Sequence, residues 1–287
     1  MNSEMMTLSF DIVIVGSGVS GLYCALKLPS NLKIAILSKD RLDKSNSFLA
    51  QGGISTLRSN DDFNDFFEDT MKSGHYENNP EAVSMMILSS PSIIDDLKSY
   101  GIQFESHDGQ MVYTQEGAHS KARILFHQDE TGKEITSKLL NKVQSLENVT
   151  LYDYTQMVDL IVSNHRLEGV IANDLKQKEK LRFIASRVIL ATGGIGGLYK
   201  HSTNYAHSTG DAIALASKYN IKLKDLDYVQ IHPTTLYSKK KGRRFLISES
   251  VRGEGALLLN KDGNRFADEL LARDVLTNLI FEQMKKD

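Results

Sequence analysis

The sequence predicts an α/β protein whose N-terminal part is built on a parallel β-sheet. The short runs IVIV at 12–15 and KIAIL at 33–37 have the length and apolar content of strands that are buried on both faces. A segment of helical length, LYCALKL, lies between them, so this region reads as strand, helix and strand. A third such run, RVIL at 187–190, leads into a second glycine-rich segment. This order is typical of a Rossmann-like nucleotide-binding domain.

The turn after the first strand carries the glycine pattern of a dinucleotide site. Gly16, Gly18 and Gly21 stand as G-x-G-x-x-G between the strand and the helix. Gly16 permits the tight turn, Gly18 lets the backbone approach a pyrophosphate, and Gly21 lets the helix pack close to the strand. The free N–H groups of the helix then bind the pyrophosphate. The alternative is a structural glycine turn, which the flanking strand and helix disfavour.

The second strand ends without the acidic residue that binds the ribose in most NAD enzymes. Ser38 and Lys39 stand where an Asp or Glu is expected, about 20 residues after the glycines. Their hydroxyl and ammonium groups can still bind ribose and phosphate oxygens. The second glycine cluster, TGGIGG at 192–197, follows a buried strand and favours one large ligand that is contacted twice. FAD fits this pattern better than NAD, and a structural turn is the alternative for the second cluster.

The remaining elements are predicted from apolar periodicity and from capping signals. Pro80 suits the first turn of a helix, and Thr131 with Glu134 has the spacing of a capping box. A β-rich stretch includes VTLYDYTQMVDLIVS, then LEGVIAND, then the buried-type strand RVILATGG. Its middle pieces indicate an antiparallel meander, which in FAD-binding folds covers the parallel sheet. The predicted helices are 61–73, 80–99, 131–146, 211–219 and 273–286.

Near residue 227 the sequence changes in composition and pattern, and from there it predicts loops and short strands rich in Arg, His and Glu. We therefore expect two domains: an FAD-binding domain over residues 1–227 and an α+β domain over residues 228–287. The second domain begins shortly before the sequence QIHPTTLY.

Composition and charge exclude several functional classes. A net charge of −2 gives no electrostatic support for binding nucleic acid or an acidic membrane, and the basic run SKKKGRR reads as a solvated loop. No apolar run approaches the roughly 18 residues of a membrane span, and the N-terminus is too polar for a signal peptide. Cys24 is the only cysteine, which fits a reducing compartment, so a cytoplasmic location is expected. The eight histidines show no metal-ligand spacing, so no metal is expected.

Several charged residues in irregular segments have the chemistry to bind a small amino dicarboxylate. Such a substrate needs cations for its carboxylates and an anion for its ammonium. Arg252 and Arg273 suit bidentate binding of carboxylates. Glu116 supplies an anion for the ammonium, and His232 is a further candidate side chain for the site. Simpler readings remain open, since His232 could be a hydrogen-bonded core residue and Arg273 could form a surface ion pair with Asp274. Spacing alone does not show that these side chains meet.

Taken in order, these motifs resemble the L-aspartate oxidases of the succinate dehydrogenase and fumarate reductase flavoprotein superfamily. The matching segments run almost end to end: GSGVSG, LSK, AQGGI, EGAHSKARILFHQDETGKEI, ILATGGIGGLY, STGDAIALA, QIHPTTLY, SESVRGEGALLLNKDGNRFADE and ARDV. The resemblance implies FAD as cofactor. The residues it implies around FAD are Gly16, Ser17, Gly18, Gly21, Ser38, Lys39, Ser45, Ser47, Ala50, Gln51, Gly52, Gly53, Ala191, Thr192, Gly193 and Asp211.

The resemblance also implies a site for L-aspartate or another C4 dicarboxylate. His232, Ser248, Glu249 and Arg273 would face the dicarboxylate. Arg273 would position it, because a guanidinium is a poor base. Glu116 would neighbour the substrate ammonium, which separates amino-acid oxidases from fumarate-handling relatives. The implied reaction is FAD-dependent oxidation of L-aspartate to iminoaspartate with oxygen or fumarate as acceptor. This is the first step of quinolinate and NAD biosynthesis, with quinolinate synthase as functional partner.

The chain departs from the family pattern in three places. Asn46 stands where respiratory relatives carry the histidine that bonds covalently to FAD, so we expect the FAD to be non-covalent. Ala212 replaces a common glycine.

Family members continue well beyond the position of Asp287, into segments with another substrate arginine and histidine, the last FAD-binding glycines and a helical domain. We therefore expect a C-terminally truncated chain with a partial capping domain over 228–287, which binds FAD weakly and is inactive alone. The alternatives are a soluble fumarate reductase-type flavoprotein and a non-catalytic nucleotide-binding module.

Overall fold

A computed structural model describes residues 5–287, and the chain divides into two compact units. The first unit contains the residues up to Leu49 together with Ile135–Leu226 and Lys240–Arg243. The second contains Ala50–Glu134, Asp227–Lys239 and Arg244–Asp287. Each unit thus combines segments that lie far apart in the sequence. The assignment of functional domains to residues 1–227 and 228–287 stays a prediction.

The α/β class predicted from the sequence is confirmed. The strands in the described part of the chain are β1 (Met6–Ser9), β2 (Ile12–Val15), β3 (Ile34–Leu37), β4 (Ile54–Ser55), β5 (Ser106–His107), β6 (Gln110–Met111), β7 (Ile124–Leu125), β8 (Val149–Tyr152), β9 (Thr155–Ser163), β10 (Arg166–Asp174), β11 (Glu179–Ile184) and β12 (Arg187–Leu190). The α-helices are α1 (Val19–Lys27), α2 (Phe63–Ser73), α3 (Pro80–Ser99), α4 (Thr131–Gln144), α5 (Asp211–Lys218), α6 (Glu249–Gly253) and α7 (Arg273–Lys286). Across residues 5–287, no helix has the length and apolar content needed to cross a membrane.

A four-stranded parallel sheet forms the centre of the first unit, in the order β12-β2-β3-β8. All residues of β2 and β3 are buried, as their apolar runs predict. The predicted β-rich stretch begins with VTLYDYTQMVDLIVS, and the first part of this segment belongs to the parallel sheet. Its residues Val149–Tyr152 form β8 and pair with β3, and the chain then turns at Tyr154, whose φ is +48°.

The antiparallel meander predicted from the sequence is formed by β9, β10 and β11. Strand β1 adds to it in parallel with β11. Met157, Val170 and Phe183 of the meander join Val13 and Val15 of the parallel sheet in one buried apolar cluster. The meander therefore packs on one face of the parallel sheet and leaves the carboxyl ends of the parallel strands accessible.

The second unit is organised around α2 and α3, which pack against each other. Phe66, Met71, Val83 and Ile87 form its buried apolar cluster. Two short antiparallel ribbons, β4 with β7 and β5 with β6, complete the regular structure near these helices. Helix α3 begins at Pro80, as predicted.

The predicted capping box at Thr131 and Glu134 is wrong. Thr131 is the first residue of α4, and its hydroxyl accepts a hydrogen bond from the N–H of His127 at 2.9 Å. The Glu134 carboxylate accepts from the N–H of Gln103 at 3.1 Å. The Thr131 hydroxyl thus satisfies a backbone group just before the helix, and Glu134 satisfies one in a distant segment, so the two residues do not form a capping box.

Ser90 compensates for the proline inside α3. Pro91 has no N–H, so the carbonyl of Ile87, four residues earlier, loses its helical partner. The Ser90 hydroxyl donates to this carbonyl at 2.7 Å. The same oxygen accepts from the N–H of Leu57 at 2.8 Å, beside β4. One hydroxyl thus satisfies two backbone groups and joins α3 to the segment after β4.

The Ser90→Ala variant should be less stable by about 1–3 kcal/mol, because both backbone groups lose a partner. The measurement is the free energy of unfolding from urea titration. Ser89→Ala is the matched control, since the Ser89 hydroxyl makes an exposed bond to the carbonyl of Met85. We expect that control to change stability by less than about 0.5 kcal/mol. Equal losses in the two variants would contradict the role given to Ser90.

Candidate functional site

A cavity of about 410 Å³ lies in the first unit, at the carboxyl ends of β2, β3 and β12. Ligands of open parallel sheets bind at this edge, and the volume is in the range of small-molecule sites. Among the residues predicted to contact the cofactor, those that line the cavity are Gly16, Ser17, Gly18, Ser38, Lys39, Ser45, Ser47, Ala191, Thr192, Gly193 and Asp211. Asn46, Gln156 and Thr209 also line it.

The two glycine turns meet at one end of this cavity. Gly16 has a φ of +119°, and a Cβ at this position would lie 2.1 Å from the carbonyl oxygen of Ala191. The Ala191 N–H donates to the Val15 carbonyl at 2.8 Å, which continues the pairing of β12 with β2. Gly21 lies beneath the turn, where a Cβ would be 2.0 Å from the Gly16 carbonyl oxygen. Only glycine permits these close approaches, as the motif predicts.

Hydroxyl groups surround the N-terminus of α1. The N–H of Val19 donates to the Ser47 hydroxyl at 3.1 Å. The Ser17 hydroxyl donates to the Ser38 hydroxyl at 3.0 Å. A Cβ on Gly18 would lie 3.1 Å from the Ser47 oxygen. Neutral donors at a helix N-terminus are suited to phosphate oxygens, so this donor set fits the pyrophosphate of a dinucleotide.

An ion pair lies in another part of the cavity wall. The Lys39 ammonium is 2.9 Å from the Asp211 carboxylate and donates to the Thr209 hydroxyl at 2.7 Å. Gln156 donates to the same carboxylate at 3.2 Å. Burial favours a higher pKa for Asp211, but the hydrogen bonds from Thr209 and Lys39 outweigh it and lower the pKa. Asp211 is therefore an ionised acceptor, which suits the hydroxyl groups of a ribose or ribityl chain.

Asn46 holds two loops of the cavity wall together. Its side-chain N–H donates to the Ser208 hydroxyl at 2.9 Å, and its oxygen accepts from the N–H of Tyr205 at 3.1 Å. Both amide functions are used in hydrogen bonds. An amide nitrogen is also not nucleophilic, so this side chain lacks the chemistry to form a covalent bond to a flavin.

Four of the predicted cofactor residues belong to the second unit, namely Ala50, Gln51, Gly52 and Gly53. A Cβ at Gly53 would lie 2.3 Å from the Leu125 carbonyl oxygen, so β7 passes directly against this backbone. A Cβ at Gly52 would lie 2.5 Å from an oxygen of Glu116. The side-chain oxygen of Gln51 is buried and lacks a hydrogen-bond partner within residues 5–287, which leaves an acceptor for a ligand.

The charged residues predicted for substrate binding come together in the second unit, around Glu249. The Glu249 side chain is 7% exposed and accepts from Arg273 Nε at 2.7 Å. Arg252 Nη2 lies 3.8 Å from the same carboxylate. Arg273 also donates to Gln230 at 2.8 Å, a contact that the sequence analysis missed although Gln230 is two residues before His232.

The alternative pairing of Arg273 with Asp274 is wrong. Asp274 lies 2.8 Å from Nε2 of His75, while Arg273 contacts Glu249. Adjacent residues at the start of α7 thus face different partners, and Arg273 takes part in the buried cluster.

Glu116 is a half-buried carboxyl group beside this cluster, and its Oε1 atom is fully buried. Its Oε1 atom has no hydrogen-bond partner in the described part of the chain. Burial, and then the negative charge of Glu249, raise the pKa of Glu116, while Arg273 opposes the rise. A Cβ at Gly117 would lie 2.6 Å from Glu249 Oε1, so the absence of a side chain lets the two acidic residues approach. A cation placed near Glu116 would relieve this cost, which fits an ammonium group.

Arg252 and Ser248 supply further polar groups. Arg252 is 4% exposed and donates through Nη1 to the carbonyl of Glu269 at 3.0 Å. Its Nε and Nη2 atoms are buried without a hydrogen-bond partner among residues 5–287, so they remain available to a carboxylate. The Ser248 hydroxyl is 2.7 Å from that of Ser250, which in turn lies 3.3 Å from Asp129.

His232 is half-buried and electrically neutral at pH 7. Its Nδ1 lies 3.0 Å from the carbonyl oxygen of Thr234, which fixes the ring. Burial, and then the positive charge of Arg273, lower its pKa from 6.5 to about 4. The ring is therefore hydrogen-bonded to the backbone, as expected for a structural histidine. It also interacts electrostatically with the charged cluster around Glu249.

Comparisons with known proteins show what this chain is similar to. The sequence model of the FAD binding domain family matches residues 11–287. The L-aspartate oxidase of Clostridium perfringens is 48% identical over 277 residues, which cover 96% of this chain and 63% of that protein. The L-aspartate oxidase of Clostridium acetobutylicum is 44% identical and is covered to 65%. The structure of an E. coli quinol fumarate reductase mutant aligns with a TM-score of 0.91 at 26% identity, over 98% of this chain and 52% of that one. The chain thus spans less than two thirds of the length of these curated relatives.

The lowered pKa of His232 predicts that folding stability rises with pH between about 4 and 6.5. In this window the unfolded chain binds a proton at His232 that the folded chain does not, so acid favours unfolding. The measurement is the urea midpoint as a function of pH. The His232→Gln variant should flatten the curve in this window, whereas the exposed His107→Gln control should not. Identical curves for wild type and His232→Gln would contradict the inference.

Proposed function

The chain belongs to the FAD binding domain family, and on this basis we propose that it is the FAD-binding part of an L-aspartate oxidase. The proposed reaction is the oxidation of L-aspartate to iminoaspartate, with oxygen or fumarate as electron acceptor. The observation that carries the proposal is the half-buried Glu116 carboxyl, with its buried Oε1 atom, beside Glu249 and its two arginines. This cluster offers separate places for an ammonium group and for carboxylates. The relatives named L-aspartate oxidase support the same reaction.

The cofactor would be held by the residues of the first cavity. The N–H groups and hydroxyls around the start of α1 suit the pyrophosphate, and Lys39 and Asp211 suit phosphate and hydroxyl groups. Asn46 supports non-covalent binding. When bound, FAD supplies the acceptor for the hydride that leaves Cα.

The substrate would be held by the second-unit cluster. Arg273 and the unpaired nitrogens of Arg252 would bind the carboxylates, since guanidinium groups match their planar geometry. Glu116 would accept a hydrogen bond from the ammonium and then receive its proton, because a carboxyl with a raised pKa is a better base. His232 would face the dicarboxylate as a neutral imidazole ring. Catalysis would depend chiefly on orientation and on fixed charge.

The acidic side chain at position 116 also distinguishes this proposal from a fumarate reductase-type activity. A dicarboxylate without an amine would face a buried carboxyl group with no cation to balance it. We further propose that the iminoaspartate is consumed by quinolinate synthase, in the cytoplasm. Iminoaspartate is an unstable imine, which favours rapid use by the next enzyme.

The test is a titration of the FAD-loaded chain with L-aspartate and with succinate, without air, followed by visible flavin absorbance. L-Aspartate should bleach or perturb the flavin at lower concentration than succinate. Glu116→Gln should weaken L-aspartate binding by about tenfold or more, since it removes a charge-assisted bond to the ammonium, and it should leave succinate binding unchanged or stronger, since it also removes the acidic group that disfavours succinate. Binding of L-aspartate should also weaken as pH falls through the raised pKa of Glu116.

Glu105→Gln, a change at another acidic residue of the second unit, serves as the control. Two results would contradict the proposal: equal binding of the two dicarboxylates by the wild type, or an unchanged preference in Glu116→Gln.

A further inference from the structure

Arg123 is a buried cation that the proposed reaction does not use. Its side chain has no exposed surface, and it forms a two-pronged contact with Asp62 through Nε at 3.2 Å and Nη2 at 2.9 Å. Its Nη1 atom lies 2.6 Å from the carboxylate of Asp69, and the guanidinium stacks 4.9 Å from the ring centre of Phe66. Burying such a network costs desolvation energy, so a buried ion pair is weak evidence for stability alone. The contacts of the network also bear on the position of the segments that it joins.

The network extends from α2 to the loop 116–120. One Asp69 oxygen accepts from both the N–H of Ser120, at 2.8 Å, and its hydroxyl, at 2.7 Å. Arg123 Nη1 lies 3.2 Å from Nδ1 of His119. Burial, and then the charge of Arg123, lower the pKa of His119, so its neutral ring can accept this hydrogen bond. We call Arg123, Asp69 and Ser120 the clamp.

The clamped loop carries Glu116. The N–H of His119 donates to the Glu116 carbonyl at 3.3 Å, which closes the loop. Ala118 has a φ of +63°, and its N–H donates to the Leu270 carbonyl at 3.2 Å. Hydrogen bonds therefore hold the loop from two sides.

A cavity of about 520 Å³ borders this loop at Gly117–His119, between the loop and the helices α2 and α3. On that side the loop does not rest on a filled core. Its position there depends on the clamp rather than on close packing.

We propose that the clamp positions the Glu116 carboxyl group and thereby sets the preference for an amino dicarboxylate over one without an amine. This inference rests on the proposed function, in which Glu116 binds the ammonium. Arg123, Asp69 and Ser120 are positioning residues in this scheme, because they act through the loop and not on the substrate.

The first test measures amide hydrogen exchange in the loop and needs no substrate. Asp69→Asn and Ser120→Ala should each speed exchange of the N–H groups of residues 118 and 120 by about tenfold, because the first removes the carboxylate that holds the loop and the second removes the hydroxyl bond to that carboxylate. Asp65→Asn is the matched control: Asp65 lies one turn earlier on α2 and pairs with Lys121 at the surface. It should leave loop exchange unchanged. Unchanged exchange in both clamp variants would overturn the proposal.

The second test measures binding of L-aspartate and succinate to the FAD-loaded variants. Both clamp variants should weaken L-aspartate by about tenfold and succinate by less than about twofold, as expected when one charge-assisted contact is misplaced. Faster loop exchange with an unchanged ratio of affinities would overturn the link to specificity. Faster exchange in the clamp variants, combined with no effect of Glu116→Gln, would refute the proposed function and leave the clamp supported.

Discussion

The close backbone approach of Gly16 to Ala191 is the constraint on which the nucleotide site depends. Parallel pairing of β2 with β12 places Val15 opposite Leu190, so the two chains leave the sheet side by side. There is no room for a Cβ between them. Both glycine turns therefore reach the same cavity, and α1 is pulled close enough for its N-terminus to face that cavity. The meander packs on one face of the sheet and does not obstruct this edge.

In the second unit, two glycines leave space in which charged side chains approach each other. Gly52 and Gly117 leave space for the carboxyl groups of Glu116 and Glu249, respectively. The arginines then balance Glu249, while Glu116 keeps a buried oxygen without a hydrogen-bond partner among the described residues 5–287. An isolated carboxyl group of this kind is costly unless a cation can reach it. This arrangement supports the proposal that the substrate carries a positive charge, with Arg252 and Arg273 as the groups that would bind its carboxylates.

The sequence predicted those parts of the fold that depend on local pattern. Apolar runs identified β2, β3 and β12, and the glycine spacing identified the turn after β2. It missed β11, because three of the six residues of EKLRFI are charged and only Leu181 and Phe183, at alternate positions, are buried. It could list acidic and basic residues but not show that they meet, since Glu116 and Arg273 are joined only by tertiary packing. The contact of Gln230 with Arg273 depends equally on distant segments.

The most direct test of this account is the affinity of the chain for FAD, measured by quenching of flavin fluorescence in Gly16→Ala. The added methyl group would collide with the Ala191 carbonyl and force the two turns apart. The account predicts that affinity falls by more than about tenfold, or about 1.4 kcal/mol, in protein that remains folded by circular dichroism. Gly194→Ala, where a Cβ meets no atom within 4 Å, should bind FAD as the wild type does. Equal affinity in Gly16→Ala and wild type would contradict the claim that these two turns form one nucleotide site.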